Sequence, residues 1–217
     1  MKNKFMKYFY WFAAVFPFIL SAVFYSQLPE QMAIHWDMAD NPNNFASRPV
    51  AAFGMPTLLL FVILLVNFRI YADPKRQNIN RSPQMKQISR WLVIILVNVT
   101  HFASLLKNMN KNVKISQIIF LFVALSIAVI GNYLPKLKYN YTVGIKLPWT
   151  LASEENWRKT HRFAGFVWII CGILLSVTAF FPYKWLSFSI FIVLAAVPAI
   201  YSYLLFVKER GTANRSK

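Results

Sequence analysis

The stretch 185–207, WLSFSIFIVLAAVPAIYSYLLFV, carries no charged residue and no glycine. A bilayer core about 30 Å thick is crossed by roughly 20 mainly apolar residues in a helix. A run of this length and character reads as a transmembrane helix, with Pro198 inside it marking a kink. Working outward from it, the segments 8–28, 50–71, 89–106, 115–134 and 163–181 have the same character. The expected fold is therefore all-α, a polytopic bundle of six transmembrane helices. Lys2, Lys4 and Lys7 ahead of the first segment resemble the start of a signal peptide. Its apolar part exceeds the roughly 7–15 residues of such a signal, so it is expected to be a retained span.

Composition agrees. The chain has 217 residues, 57% hydrophobic and only 14% charged, whereas soluble domains carry about 25% charged residues. The formal net charge of +17 does not point to nucleic acid, because Lys and Arg sit beside apolar runs rather than on a soluble face. Basic residues flanking spans fit the positive-inside bias and anionic lipid head groups. The N-terminus, 72–90, 135–162 and the C-terminus together hold 18 of the 24 Lys and Arg. The alternate set holds Arg48, Lys107, Lys111, Lys114 and Lys184, and Arg69 lies within the second span. This asymmetry predicts a cell-membrane protein with both termini in the cytoplasm. Two connections are long: 29–49, expected outside, and 135–162, expected inside. The expected organisation is an N-terminal three-span half, 1–114, and a C-terminal three-span half, 115–217. The connection 182–184 is expected to be nearly a hairpin.

The spans are chemically quiet, with no Asp, Glu or Lys. The third is the exception, with Asn98, Thr100, His101 and Ser104. Asn98 and His101 are three apart and share a helix face. They form either a polar pocket or an interhelical hydrogen-bonding site that fixes packing. The three histidines fall in three compartments: His35 outside, His101 in the membrane and His161 inside. They are not expected to converge on one metal ion. Cys171 stands alone and reads as a small buried apolar residue. Glu154-Glu155 followed by Arg158 is similar to the motif of intramembrane CAAX-type proteases, but the arginine comes one residue early and no second motif supports it. Local helix physics accounts for these residues: Ser153 as N-cap, and Glu154–Arg158 and Glu155–Lys159 as i, i+4 pairs. No catalytic set, metal site or cofactor is expected.

The most distinctive segment is NYTVGIKLPWTLASEENWRKTHRFAG, 140–165. Gly144 permits a tight backbone turn, and Pro148 favours an extended residue before it. Trp157, His161, Gly165 and Trp168 are expected along roughly one helix face. The segment resembles the signature of the SdpI family of bacterial membrane proteins, carried here by Gly144, Lys146, Pro148, Trp149, Thr150, Glu155, Trp157, Arg162, Phe163 and Ala164. Gly131-Asn132 resembles the family's Gly-Asn at the end of span four. The outside segment LPEQMAIHWD is similar to a second module, of unknown function, often found N-terminal in that family. Lys146 stands where the family usually has Arg, Ala33 where it has Pro, and Asp40 where a Gly is customary.

The resemblance implies immunity to a secreted killing peptide, met outside at His35, Trp36 and Asp37. It also implies signalling, in which the engaged membrane protein captures an ArsR-type repressor on the inside. The alternative reading is a small-solute or lipid transporter. It draws on the kinked spans, the polar third span and possible inverted halves, since spans one and four both end in Leu-Pro.

Overall fold

The computed structural model describes residues 2–37, 39–181 and 184–215. Pro182 and Tyr183, from the expected short hairpin, lie outside the described residues, as does Lys217 of the charge count. The chain runs through α1 (Lys2–Phe24), a hairpin of β1 (Gln31–Trp36) and β2 (Pro42–Ser47), and a π-helical turn at Val50–Gly54. There follow α2 (Met55–Ala72), the short α3 (Arg76–Asn80), α4 (Pro83–Asn108), α5 (Ile115–Tyr133), α6 (Glu154–Thr178) and α7 (Lys184–Arg215). Six of these helices are long and apolar enough to cross a membrane, from Lys4–Gln27 to Trp185–Gly211. Phe61, Phe188 and Leu204 are among the large apolar side chains left exposed on them. In water such a surface would be an association hazard, and in lipid it is the solvated face.

Two compact units are formed, one from 1–68 with 90–122 and the other from 69–89 with 123–217. In the first unit, one core gathers Tyr10, Ala14, Ile63 and Ile94, and another gathers Leu28, Met32, Ala51, Ala52 and Leu105. Pro17 lies inside α1 and has no N–H, so the carbonyl of Ala13 loses its helical donor. Asn98 Nδ2 of α4 donates to that carbonyl at 2.9 Å.

In the second unit, α5 and α6 approach closely. A Cβ on Gly131 would sit 2.9 Å from the Ile169 nitrogen, and one on Gly172 would sit 2.6 Å from the Ala128 nitrogen. Small residues at such crossings let backbones touch, which is how membrane helices gain packing energy without a hydrophobic drive. The segment 135–162 is expected as an ordered loop. It consists of a 3-10 turn at Leu134–Lys136, an irregular stretch, a 3-10 turn at Thr150–Ala152 and the first turns of α6. Segment 29–49, read as a loop, instead carries the hairpin, and the third span is longer at both ends than 89–106.

Candidate functional sites

The hairpin is fastened to the first unit by side chains. Ala33 donates its N–H to Asn108 Oδ1 at 2.8 Å, and Asn108 Nδ2 returns a bond to Ala33 O at 3.0 Å. Asn108 thus behaves as one residue of a neighbouring strand along the β1 edge. A proline at position 33 has no N–H to give, so the departure from the family pattern here is matched by a partner. Asp40 is the second departure. It has φ +64, in the left-handed region where Gly is usual and Asp is tolerated. Its Oδ1 accepts from Ser116 N at 2.9 Å in the first turn of α5, where a carboxylate complements the helix dipole. Ser116 Oγ donates to Asp37 O at 2.9 Å. Asp37 Oδ1 accepts from the N–H groups of Ala39 and Asn41, closing the turn. Asp37 therefore shapes the turn.

Strand β1 is irregular where it matters. Ala33 pairs with Phe45, His35 with Asn44 and Trp36 with Pro42, with register shifts on both sides of His35 and no partner for Ile34. In a regular strand neighbouring side chains point to opposite faces. The double bulge allows Ile34, His35 and Trp36, three consecutive residues, to line one cavity. Its volume is about 260 Å³, and its other walls are Ala51, Met55, Leu59, Thr100, His101, Ser104, Ile115, Ser116 and Ile119. His35 and His101 therefore meet at one cavity, contrary to their expected separation, while His161 belongs to the other unit. Among the described residues no group of three or more His, Cys, Asp or Glu side chains is placed to hold a metal.

His101 is buried. Ser21 Oγ donates its one proton to Ala52 O in the π-helical turn at 2.5 Å. The 2.8 Å contact between Ser21 Oγ and His101 Nε2 is therefore Nε2–H donating to the hydroxyl. Thr100 Oγ1 donates to carbonyls of its own helix, Leu96 and Val97, leaving its lone pairs to the cavity.

The signature segment of the second unit is packed rather than hollow. Trp157 is 1% exposed, and its Nε1 donates to Leu137 O at 3.0 Å. Its ring stacks on His161 at 3.9 Å and meets Tyr139 edge-on at 5.3 Å. Ile145 N donates to His161 Nε2 at 3.0 Å. That nitrogen is therefore bare, and Nδ1–H donates to Trp157 O at 2.9 Å. Gly144 has φ +117, and a Cβ there would lie 2.5 Å from His161 Nε2. Glycine is needed at that position for both reasons.

Thr150, Asn156, Thr160 and Ser202 form a fully buried network. Asn156 Oδ1 accepts from Thr160 and Ser202, its Nδ2 donates to Ser202 O, and Ser202 Oγ lies 2.7 Å from Thr150 Oγ1. Trp149 Nε1 donates to Ala199 O at 3.3 Å. Ser153 Oγ accepts from Asn156 N, as its N-cap role predicts, and donates to Glu209. Arg158 turns to Glu155 at 2.7 Å rather than to Glu154, and Lys159 reaches the same carboxylate at 3.1 Å. Spacings of three and four both lie on that helix face.

Sequence reasoning passed over Asp73. It is buried, and it accepts from Lys75 N, Tyr141 N and Thr142 Oγ1. Asn78 Nδ2 donates to Tyr139 O, and Ser82 Oγ bonds Lys136 O and Lys138 N. The 73–82 connection is thus a cradle for 136–142. Burial and the Tyr141 hydroxyl push the Tyr139 phenol up to about 12. Lys146, Pro148, Glu155 and Arg162 remain exposed on the outside of the docked segment.

Residues 136–202 match the SdpI/YfhL protein family, and residues 12–60 match a domain of unknown function, DUF1648. The likeness to the SdpI/YfhL family thus lies in the signature segment and the two helices after it. Over 198 residues it is 27% identical to Immunity protein SdpI of Bacillus subtilis (strain 168), covering 90% of this chain and 93% of that protein. It is also 40% identical over 50 residues to Uncharacterized membrane protein YbgB of the same organism, covering 23% of this chain and 55% of YbgB. No solved structure matches the chain. With six helices long and apolar enough to cross a membrane, the chain is a multi-pass membrane protein.

Proposed function

We propose that this protein confers immunity to a secreted killing peptide and passes the encounter to a soluble partner. The observation that carries the reading is the likeness to Immunity protein SdpI along nearly the whole of both chains. The hairpin with its cavity is the receiving element, placed outside the cell by the distribution of Lys and Arg, with both termini inside. His35 and Trp36 line the cavity, and Asp37 holds the turn beside them.

The exposed face of the signature segment, with Lys146, Arg158, Lys159 and Arg162, is the output surface. Its positive field attracts an acidic patch on an ArsR-type repressor as well as anionic lipid head groups. Signalling requires that peptide binding favour one state of the protein whose output surface differs from that of the other. Helices α2, α4 and α5 each supply residues to both units, so they are the elements that carry such a difference.

The test is expression in a strain sensitive to the killing peptide. Survival should rise with this protein and fall back when Trp36 is changed to Ala with expression intact. Killing that is unchanged by the intact protein sinks the immunity reading. For the output surface, membrane recruitment of the ArsR-type regulator should be lost in Arg162→Glu. Recruitment that persists in that variant rules the surface out.

A further inference from the structure

The cavity of the first unit is assembled from three departures from regular backbone or composition. Two register shifts flank His35, leaving Ile34 of β1 and Asn43 of β2 as the extra residues, and Ile34, His35 and Trp36 all line the space. A π-helical turn presents Ala51, and its Ala52 carbonyl is held by Ser21. The polar stretch within the apolar length of α4 contributes Thr100, His101 and Ser104. Bulges and π-turns are over-represented at functional sites because each re-aims a side chain at some local cost. Here all three converge on the same space.

The walls define what fits. Among the described residues no Asp, Glu, Lys or Arg lines the cavity, so a charged group entering it would lose its hydration with no carboxylate, ammonium or guanidinium to meet it. Most of the lining is aliphatic or aromatic, and Thr100 and Ser104 offer hydroxyls on one side. At about 260 Å³ the space exceeds the roughly 150 Å³ that holds benzene. It falls below the roughly 300–1,000 Å³ of pockets for drug-sized ligands. One ring or one branched side chain fits, and a folded peptide does not.

We propose that this cavity receives one neutral, mainly apolar side chain of an extended peptide, aromatic or branched, with its polar atom toward the Thr100 and Ser104 hydroxyls. The inference deepens the immunity reading and rests on it for the identity of the peptide. The preference of the cavity itself is independent of any toxin.

The experiment uses the full chain in nanodiscs and two water-soluble probes, N-acetyl-L-phenylalaninamide and N-acetyl-L-aspartate amide. Thermal unfolding is followed as each probe is added, since a ligand that binds only the folded state raises the midpoint with concentration. The phenylalanine probe should give a saturable rise and the aspartate probe none. Ser104→Phe and, as an independent filling of the same space, Ala51→Leu should weaken the phenylalanine effect at least tenfold. Equal effects in intact protein and in a folded filled variant overturn the proposal, as does a preference for the charged probe. So does a response confined to a change of lipid acyl chain, which assigns the space to lipid. In the killing assay, both filled variants should lose protection. Protection retained by filled variants that no longer bind the probe overturns the peptide assignment. Specific probe binding by a protein that gives no protection leaves the cavity standing and removes the immunity reading instead.

Discussion

Each unit encloses a histidine, and the two are treated in opposite ways. His161 is fixed on every side. A backbone N–H reaches Nε2, a backbone carbonyl takes Nδ1–H, an indole lies on its face, and a glycine passes where any Cβ would collide. His101 is held by the Ser21 hydroxyl and the Pro17 backbone, and its ring also borders open space. The difference separates two uses of a polar residue at an apolar site. One closes a structure by satisfying every group, and the other leaves part of its ring as a cavity wall. The strongest sequence signature, 140–165, marks the closed structure. The cavity combines Ile34, His35 and Trp36 of the outside module with helix residues that no motif flags.

The largest effect should come from the closed site. Gly144→Ala places a methyl group against His161 and forces an unfavourable φ. The cost should be about 2–5 kcal/mol, read as a large fall in the unfolding midpoint in detergent. A near-normal midpoint would mean the segment is not locked as described.

An intermediate effect distinguishes the parts of the hairpin turn. Asp40→Ala keeps the left-handed φ but loses the cap on α5, and should cost about 1–2 kcal/mol. Asp40→Gly relieves the backbone while losing the same cap, so its cost should stay within about 0.5 kcal/mol. If the two variants unfold alike, the φ at that position is not what makes glycine customary there.

The smallest effect is the most specific. Asn98→Ala removes the donor to the Ala13 carbonyl, and membrane interhelical hydrogen bonds average about 0.6 kcal/mol. In a Pro17→Ala background the helix supplies that donor itself, so the Asn98→Ala cost should shrink toward zero. A double-mutant cycle reads the coupling directly, and additive costs would break the link between the proline and the asparagine.

Helix number and type were legible because a bilayer leaves few options: the backbone must satisfy itself, and the spans must be long and apolar. The N-cap role of Ser153 and the need for Gly144 were also legible, since both follow from local chemistry. The hairpin was not. Residues of β2 are nearly all exposed, so Pro42–Ser47 shows no alternation of buried and exposed side chains. Its pairing depends on contacts from Asn108 and Ser116, more than sixty residues away in sequence. Asp73 was hidden for a similar reason. In the sequence it is one acid before a run of cations, and its partners Tyr141 and Thr142 come from a distant segment. The cavity was legible only in part: His35, Trp36, Thr100, His101 and Ser104 stood out as residues, but the register shifts and π-turn that bring them together leave no periodic trace.

Asn108 also sets a limit on how this protein can associate. A hairpin with two open edges can seed strand addition in both directions, and repetition of that step makes a fibre. Here the β1 edge is already occupied at Ala33 by a side-chain amide that ends the ladder. A strand added to this hairpin can join on the β2 side alone. Two copies meeting in this way form a closed pair, and growth stops there.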